Sequence, residues 1–193
     1  MTQGASIRMR LRPRRIKLAT RDFGFGSALA TLGFIGCMVA GCAGPAKPPA
    51  AAIEPIRVSK ALGLGDPARQ ASTRLVVQGL DADEAGQIQR ARGSYERALQ
   101  VDPTNPYAYL ALARHALDVG EPNDAIDFIE QAAALFEAEG LRQPEVGVHL
   151  IGLRAQAFEV AGRTEESELY FETAAEMAPH IWQDGSLSAT ELR

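Results

Sequence analysis

Apolar residues are arranged along this chain in two different ways. From Phe23 to Gly41 they form one uncharged run of 19 residues, FGFGSALATLGFIGCMVAG. From Asp66 onwards they are interleaved with charges and recur at a fixed interval. Gly86 and Gly120 lie 34 residues apart, as do Leu75 and Tyr109, Ala91 and Ala125, and Ala98 and Ala132. Between the two regions, AGPAKPPAAAIEPIRVSKALGLG carries Pro45, Pro48, Pro49 and Pro55, which deny it a helix and favour extended, solvated chain. The pattern therefore predicts an N-terminal head over 1–41, a disordered tether over 42–65, a repeating helical body over 66–180 and a tail or cap over 181–193.

Three units align within the body, at about 72–105, 106–139 and 148–181. The first runs through Leu75, Gly79, Ala82, Gly86, Ala91, Tyr95, Ala98 and Pro103. The second runs through Tyr109, Leu112, Ala113, Ala116, Gly120, Ala125, Ile129 and Ala132, and the third through Ile151, Ala155, Phe158, Gly162, Ser167, Phe171, Ala174 and Pro179. Alanines allow two antiparallel helices to approach, while Tyr95, Ile129 or Phe171 fills the space beside each pair. Glycine takes a left-handed turn after the first helix of each unit. Helix starts are expected at Asp66-Pro67, Asn105-Pro106, Glu121-Pro122, Gln143-Pro144 and Thr164. The glycine step lengthens to 42 residues between the second and third units, so FEAEGLRQPE reads as extra length in the second helix of unit two or the first of unit three.

This spacing and these positions resemble the tetratricopeptide repeat (TPR) family over about residues 70–180. Ala82 and Ala116 depart from the pattern where an aromatic is usual, Ser167 stands for an alanine, and Gln78 and Arg154 stand for leucines. The resemblance implies an all-α fold, a TPR-type α-solenoid of about three helix-turn-helix repeats. It also implies a groove, lined by the first helices, that holds a protein or peptide partner. Carried over position by position, the groove would present Val76, Leu80, Tyr107, Leu110, Arg114, Asp118, His149, Gly152 and Gln156. Trp182 is expected to pack over apolar surface at the end of the array.

The head reads as an address. A basic segment followed by an apolar run is the plan of a secretory signal, with Met9 an alternative start to Met1. The run closes on Val39-Ala40-Gly41-Cys42, which resembles the lipobox of bacterial lipoproteins: aliphatic, small, small, cysteine. That resemblance implies cleavage before Cys42 and a diacylglyceryl group on its thiol. Ala43, where an aspartate would retain such a protein in the inner membrane, implies the outer membrane of a Gram-negative bacterium, facing the periplasm. The competing reading is a retained signal anchor in the inner membrane, since 19 uncharged residues are just long enough to span a bilayer.

Charge sharpens the division. Residues 1–41 carry a net +6 and residues 42–193 a net −10. An acidic body disfavours nucleic acid, whose binding rests on Lys and Arg. The chain has two cysteines, Cys37 and Cys42, and no scope for a disulfide framework. Catalytic chemistry is not legible. His115 lies near Asp118 and His149 lies four residues after Glu145, but neither has a third ligand, and such helical pairs are expected to be solvated or mildly stabilising. DADEAG at 81–86 begins like a calcium loop and then fails, because Ala85 and Arg92 stand where ligands belong. The expectation is a non-enzymatic adaptor or assembly scaffold in the cell envelope, of the kind that serves pilus, secretion or cell-wall machinery. It would have no cofactor beyond the lipid on Cys42 and no metal. A metal-binding or enzymatic helical domain using His115 or His149 is the alternative.

Overall fold

The computed structural model of the chain describes residues 53–141 and 143–193. Six long helices form three antiparallel hairpins. The first pairs α1 (Pro67–Glu84) with α2 (Ile88–Val101), the second α3 (Pro106–Val119) with α4 (Pro122–Ala138), and the third α5 (Pro144–Val160) with α6 (Thr164–Met177). Two short helices follow, α7 (Pro179–Trp182) and α8 (Ala189–Leu192), and a 3-10 helix, Val58–Ala61, precedes α1. The described residues contain no strand.

The local sequence explains the boundaries. Asp66 accepts a hydrogen bond from the Arg69 amide at 2.8 Å and Asn105 accepts one from the Tyr107 amide at 3.1 Å, so each satisfies a free N–H of the helix it opens. Proline occupies the first turn of α1, α3, α4 and α5, where its missing N–H costs nothing. Glu121 and Gln143 precede their prolines without a side-chain cap bond. Inside each hairpin the turn is made by Gly86, Gly120 or Gly162, with φ of 69°, 80° and 76°. Those left-handed angles cost an L-residue roughly 1–2 kcal/mol. The longer third step is shared between two helices, because α4 and α5 each have 17 residues where α2 and α3 have 14.

Hairpins stack through α2 on α3, α4 on α5, and the first helices α1 on α3 and α3 on α5. The middle hairpin is thus enclosed, and α3 is buried without a break from Leu110 to Leu117. A helix can be surrounded in this way only if part of its surface is small, and Ala108, Ala111, Ala113 and Ala116 supply that. Tyr95 and Ile129 are fully buried between hairpins, whereas Phe171 is half-buried. Gly79 makes room for Tyr95, since a β-carbon there would lie 2.2 Å from its ring.

Both ends of the domain fold back onto it. Residues 53–65, expected within a disordered tether, instead carry the 3-10 helix, which packs on α1 with Val58 fully buried. The reason is apolar content that the prolines mask: Ile53, Ile56 and Val58 join or border the main core, and Ala61 is buried. At the other end, α7 packs on α6, but the chain then continues to α8, which lies against α1 and α3 rather than over the last hairpin.

Candidate protein-binding face

The first helices α1, α3 and α5 each contribute one side to a common face, and the candidate groove residues lie on these three helices. Val76 and Leu80 on α1, Leu110 on α3 and His149 on α5 are fully buried. Gly152 is buried against the indole of Trp182, to which a β-carbon would approach within 2.1 Å. Tyr107 is half-buried and meets Phe136 edge-on, with ring centroids 5.2 Å apart. Gln156 is half-buried, and Asp118 is the one exposed member of the set.

The chain's own end segments pack on part of this face. Leu192 on α8 is fully buried and belongs to the same apolar cluster as Val76, Leu80 and Leu110. The Arg193 Nε lies 2.6 Å from Asp81 Oδ1 on α1. The Ser59 amide donates to the main-chain oxygen of Arg193 at 2.8 Å, so the two end segments meet over α1. Beside the 3-10 segment an open cleft of about 330 Å³ remains, lined by Leu64, Arg69, Thr73, Tyr107 and Leu141 among others.

Beneath the face lies a polar hub that the sequence did not reveal. Asp83, at the end of α1, accepts from Tyr95 Oη at 2.8 Å, from Arg114 Nη2, and from His115 Nδ1 at 2.8 Å. Its side chain is 5% exposed. Burial alone would raise the carboxyl, but the bonds from His115 and Tyr95 and the Arg114 charge outweigh it and hold Asp83 below the usual carboxylate range. An ionised Asp83 only accepts, so His115 must carry its proton on Nδ1. Burial and the Asp83 charge push Tyr95 up. Arg114 also reaches Asp118 Oδ2 at 2.7 Å. The expected His115–Asp118 pairing is therefore replaced: Asp118 serves Arg114, and His115 is buried on Asp83. Spacing within one helix could not show this, because the partner comes from the preceding hairpin.

A second network binds the hairpins at the other end of α1. Arg69 donates to Asp102, to Glu139 at 2.6 Å and to the Thr104 carbonyl at 3.0 Å, linking α1, the α2–α3 loop and the end of α4. Fully buried Asn105 donates to Ser72 Oγ at 2.9 Å.

His149 also differs from the expected solvated pair with Glu145. Its Nδ1–H donates to the Glu145 main-chain oxygen at 2.8 Å, and the ring meets Trp182 edge-on at 6.3 Å. Burial lowers its pKa, against the opposing bond to Glu145 and the charge of Glu191 on α8. His149 Nε2 and Trp182 Nε1 have no hydrogen-bond partner, and neither have Arg114 Nε, His115 Nε2 and Gln156 Oε1.

Among the described residues no group of three or more His, Cys, Asp or Glu could hold a metal ion, and no helix is long and apolar enough to cross a membrane. Val39, Ala40, Gly41 and Cys42 lie outside the described residues.

Comparison with known proteins agrees with this geometry in one respect. A family model described as tetratricopeptide repeat matches residues 84–139, from the end of α1 to the end of α4. No curated protein and no solved structure matches the chain. The match covers the enclosed middle hairpin and its preceding helix, and the same hairpin geometry recurs on both sides of it. Such repeats suggest a protein–protein interaction scaffold, and the fold is typically non-enzymatic. The matched segment and the three stacked hairpins together establish that this chain carries a tetratricopeptide repeat domain.

Proposed function

We propose that the protein is a membrane-anchored, periplasm-facing TPR lipoprotein that acts as an adaptor or assembly scaffold in the cell envelope. The observation that carries the scaffold reading is the face of α1 and α3, which already holds a peptide segment, the chain's own α8. A surface that buries a leucine and pairs an arginine from one short segment has the chemistry to hold another. The anchor reading rests on Val39-Ala40-Gly41-Cys42 after an uncharged run. Its thiol would take a diacylglyceryl group, and each buried CH₂ of such chains contributes about 0.8 kcal/mol to membrane attachment. The pilus, secretion or cell-wall setting is carried by a likeness of fold and address to other repeat lipoproteins, not by a shared site.

The test is the intact mass of the protein purified from its native membrane, beside Cys42→Ala. A mass beginning at Cys42 plus acyl chains, lost in the variant, is the expected result. An uncleaved and unlipidated chain would replace the lipoprotein with a signal-anchored scaffold, a reading favoured by the 19-residue uncharged run.

A further inference from the structure

The C-terminal segment is a small element on a large surface. Helix α8 has four residues, too few to be stable alone, so its order comes from docking. A capping box closes it, with the Ser188 hydroxyl accepting from the Glu191 amide at 3.2 Å and the Glu191 carboxylate accepting from the Ser188 amide at 2.8 Å. The stretch leading to it exposes Gln183, Asp184, Ser186 and Ser188, and turns at Gly185 with φ 74°. Only Leu187, Ala189 and Leu192 are buried. The ion pair of Arg193 with Asp81 is about half exposed on both sides.

We propose that residues 186–193 are an intramolecular ligand of the α1–α3 face, and that a partner gains the face by displacing them. The inference rests on the reading of this face as the protein-binding surface. The partner it fits is a protein segment that, like Leu192-Arg193, brings a leucine with a basic residue beside it. The leucine would take the buried place of Leu192 against α1 and α3, and the cation would sit opposite Asp81. The tethered segment competes at an effective concentration on the order of millimolar, so the closed form resists weak partners without any further device.

The experiment uses the full chain and a labelled peptide of residues 186–193, SLSATELR, as the probe. Leu192→Asp places a charge in the apolar cluster and should eject the chain's own segment. Peptide binding to this variant is expected to be tighter than to wild type by about tenfold or more. Hydrogen exchange over 187–193 should rise while α1–α6 stay protected. Equal affinity for the two proteins, with helicity intact, overturns the proposal. Should Leu192→Asp lose helicity, Arg193→Glu carries the same test, because it reverses only a half-exposed charge: tighter peptide binding supports displacement and unchanged binding overturns it. A concentration-dependent dimer that exchanges these segments would overturn the intramolecular assignment. The probe is the chain's own sequence, so each outcome is independent of lipid, location and partner identity.

Discussion

The indole of Trp182 occupies the space that a side chain at position 152 would need. A β-carbon on Gly152 would meet three ring atoms within 2.4 Å. Trp182 is the only tryptophan in the chain, which makes this contact directly observable. Gly152→Ala should expel the ring. The expected outcome is a red-shifted emission maximum and a loss of roughly 1–3 kcal/mol, the usual cost of overpacking. An unchanged emission spectrum would refute the contact.

Asp83 and Asp118 both bond Arg114, yet they should behave differently. Asp83 is buried and also holds Tyr95 and His115, so Asp83→Ala leaves a buried guanidinium with only the exposed Asp118 as its counter-charge. The expected cost is about 3–5 kcal/mol. Asp118 is 57% exposed, and Asp118→Ala should cost no more than about 1 kcal/mol. Urea midpoints of the two variants decide this, and similar midpoints would remove Asp83 from the centre of the network.

Stability should fall in two stages as pH is lowered. Burial depresses His149 below its ordinary value of 6.5, so the unfolded chain binds the proton more tightly than the folded one. The stability this contributes is complete above about pH 6.5 and declines as pH falls through that value towards the lower folded pKa. The slope for one such group is at most about 1.4 kcal/mol per pH unit. His149→Gln should flatten the profile just below about pH 6.5. Asp83 and Asp102 also lie below their ordinary values, each because its hydrogen bonds and a neighbouring arginine outweigh burial. Their contribution is complete above about pH 4 and is lost as pH falls through their depressed values, adding a second acid limb. Thermal melts across this range in wild type and His149→Gln measure both stages.

Arg69 joins three elements through one planar group. Arg69→Lys keeps the charge but cannot reach Asp102, Glu139 and Thr104 together. A loss of about 1.5–3 kcal/mol is expected, in the range for a charge-assisted hydrogen bond. If Lys at 69 is as stable as Arg in thermal melts, the fork geometry contributes nothing.

The hairpins were legible because they are local. The spacing of Gly86, Gly120 and Gly162 marks three turns that each depend on one backbone angle, and the prolines mark starts that depend on one missing N–H. The extra residues around Glu139 were placed correctly between units two and three, though they lengthen both adjoining helices rather than one. The hub was not legible. Asp83 meets Arg114 and His115 across 31 and 32 positions, which depends on how one hairpin registers on the next. DADEAG read instead as a failed calcium loop, since its acidic residues have no local partner to betray their role. The end segments were hidden for a related reason. Leu187, Ala189 and Leu192 show no helical period over so short a stretch, and the prolines before Asp66 outweighed Ile53, Ile56 and Val58 in the reading of 53–65 as tether.

The meeting of Ser59 with Arg193 has a consequence for how this array comes apart. In a linear stack each repeat touches only its neighbours, so unfolding can begin at an end and travel inward. Here α8 returns to α1, and Arg193 is bonded to Ser59 just ahead of the first hairpin. An end can fray only after that clasp opens, which ties the outer hairpins to one another and favours a single cooperative transition. Removing the clasp should restore the behaviour of an open stack, with a broader melt that starts at its ends.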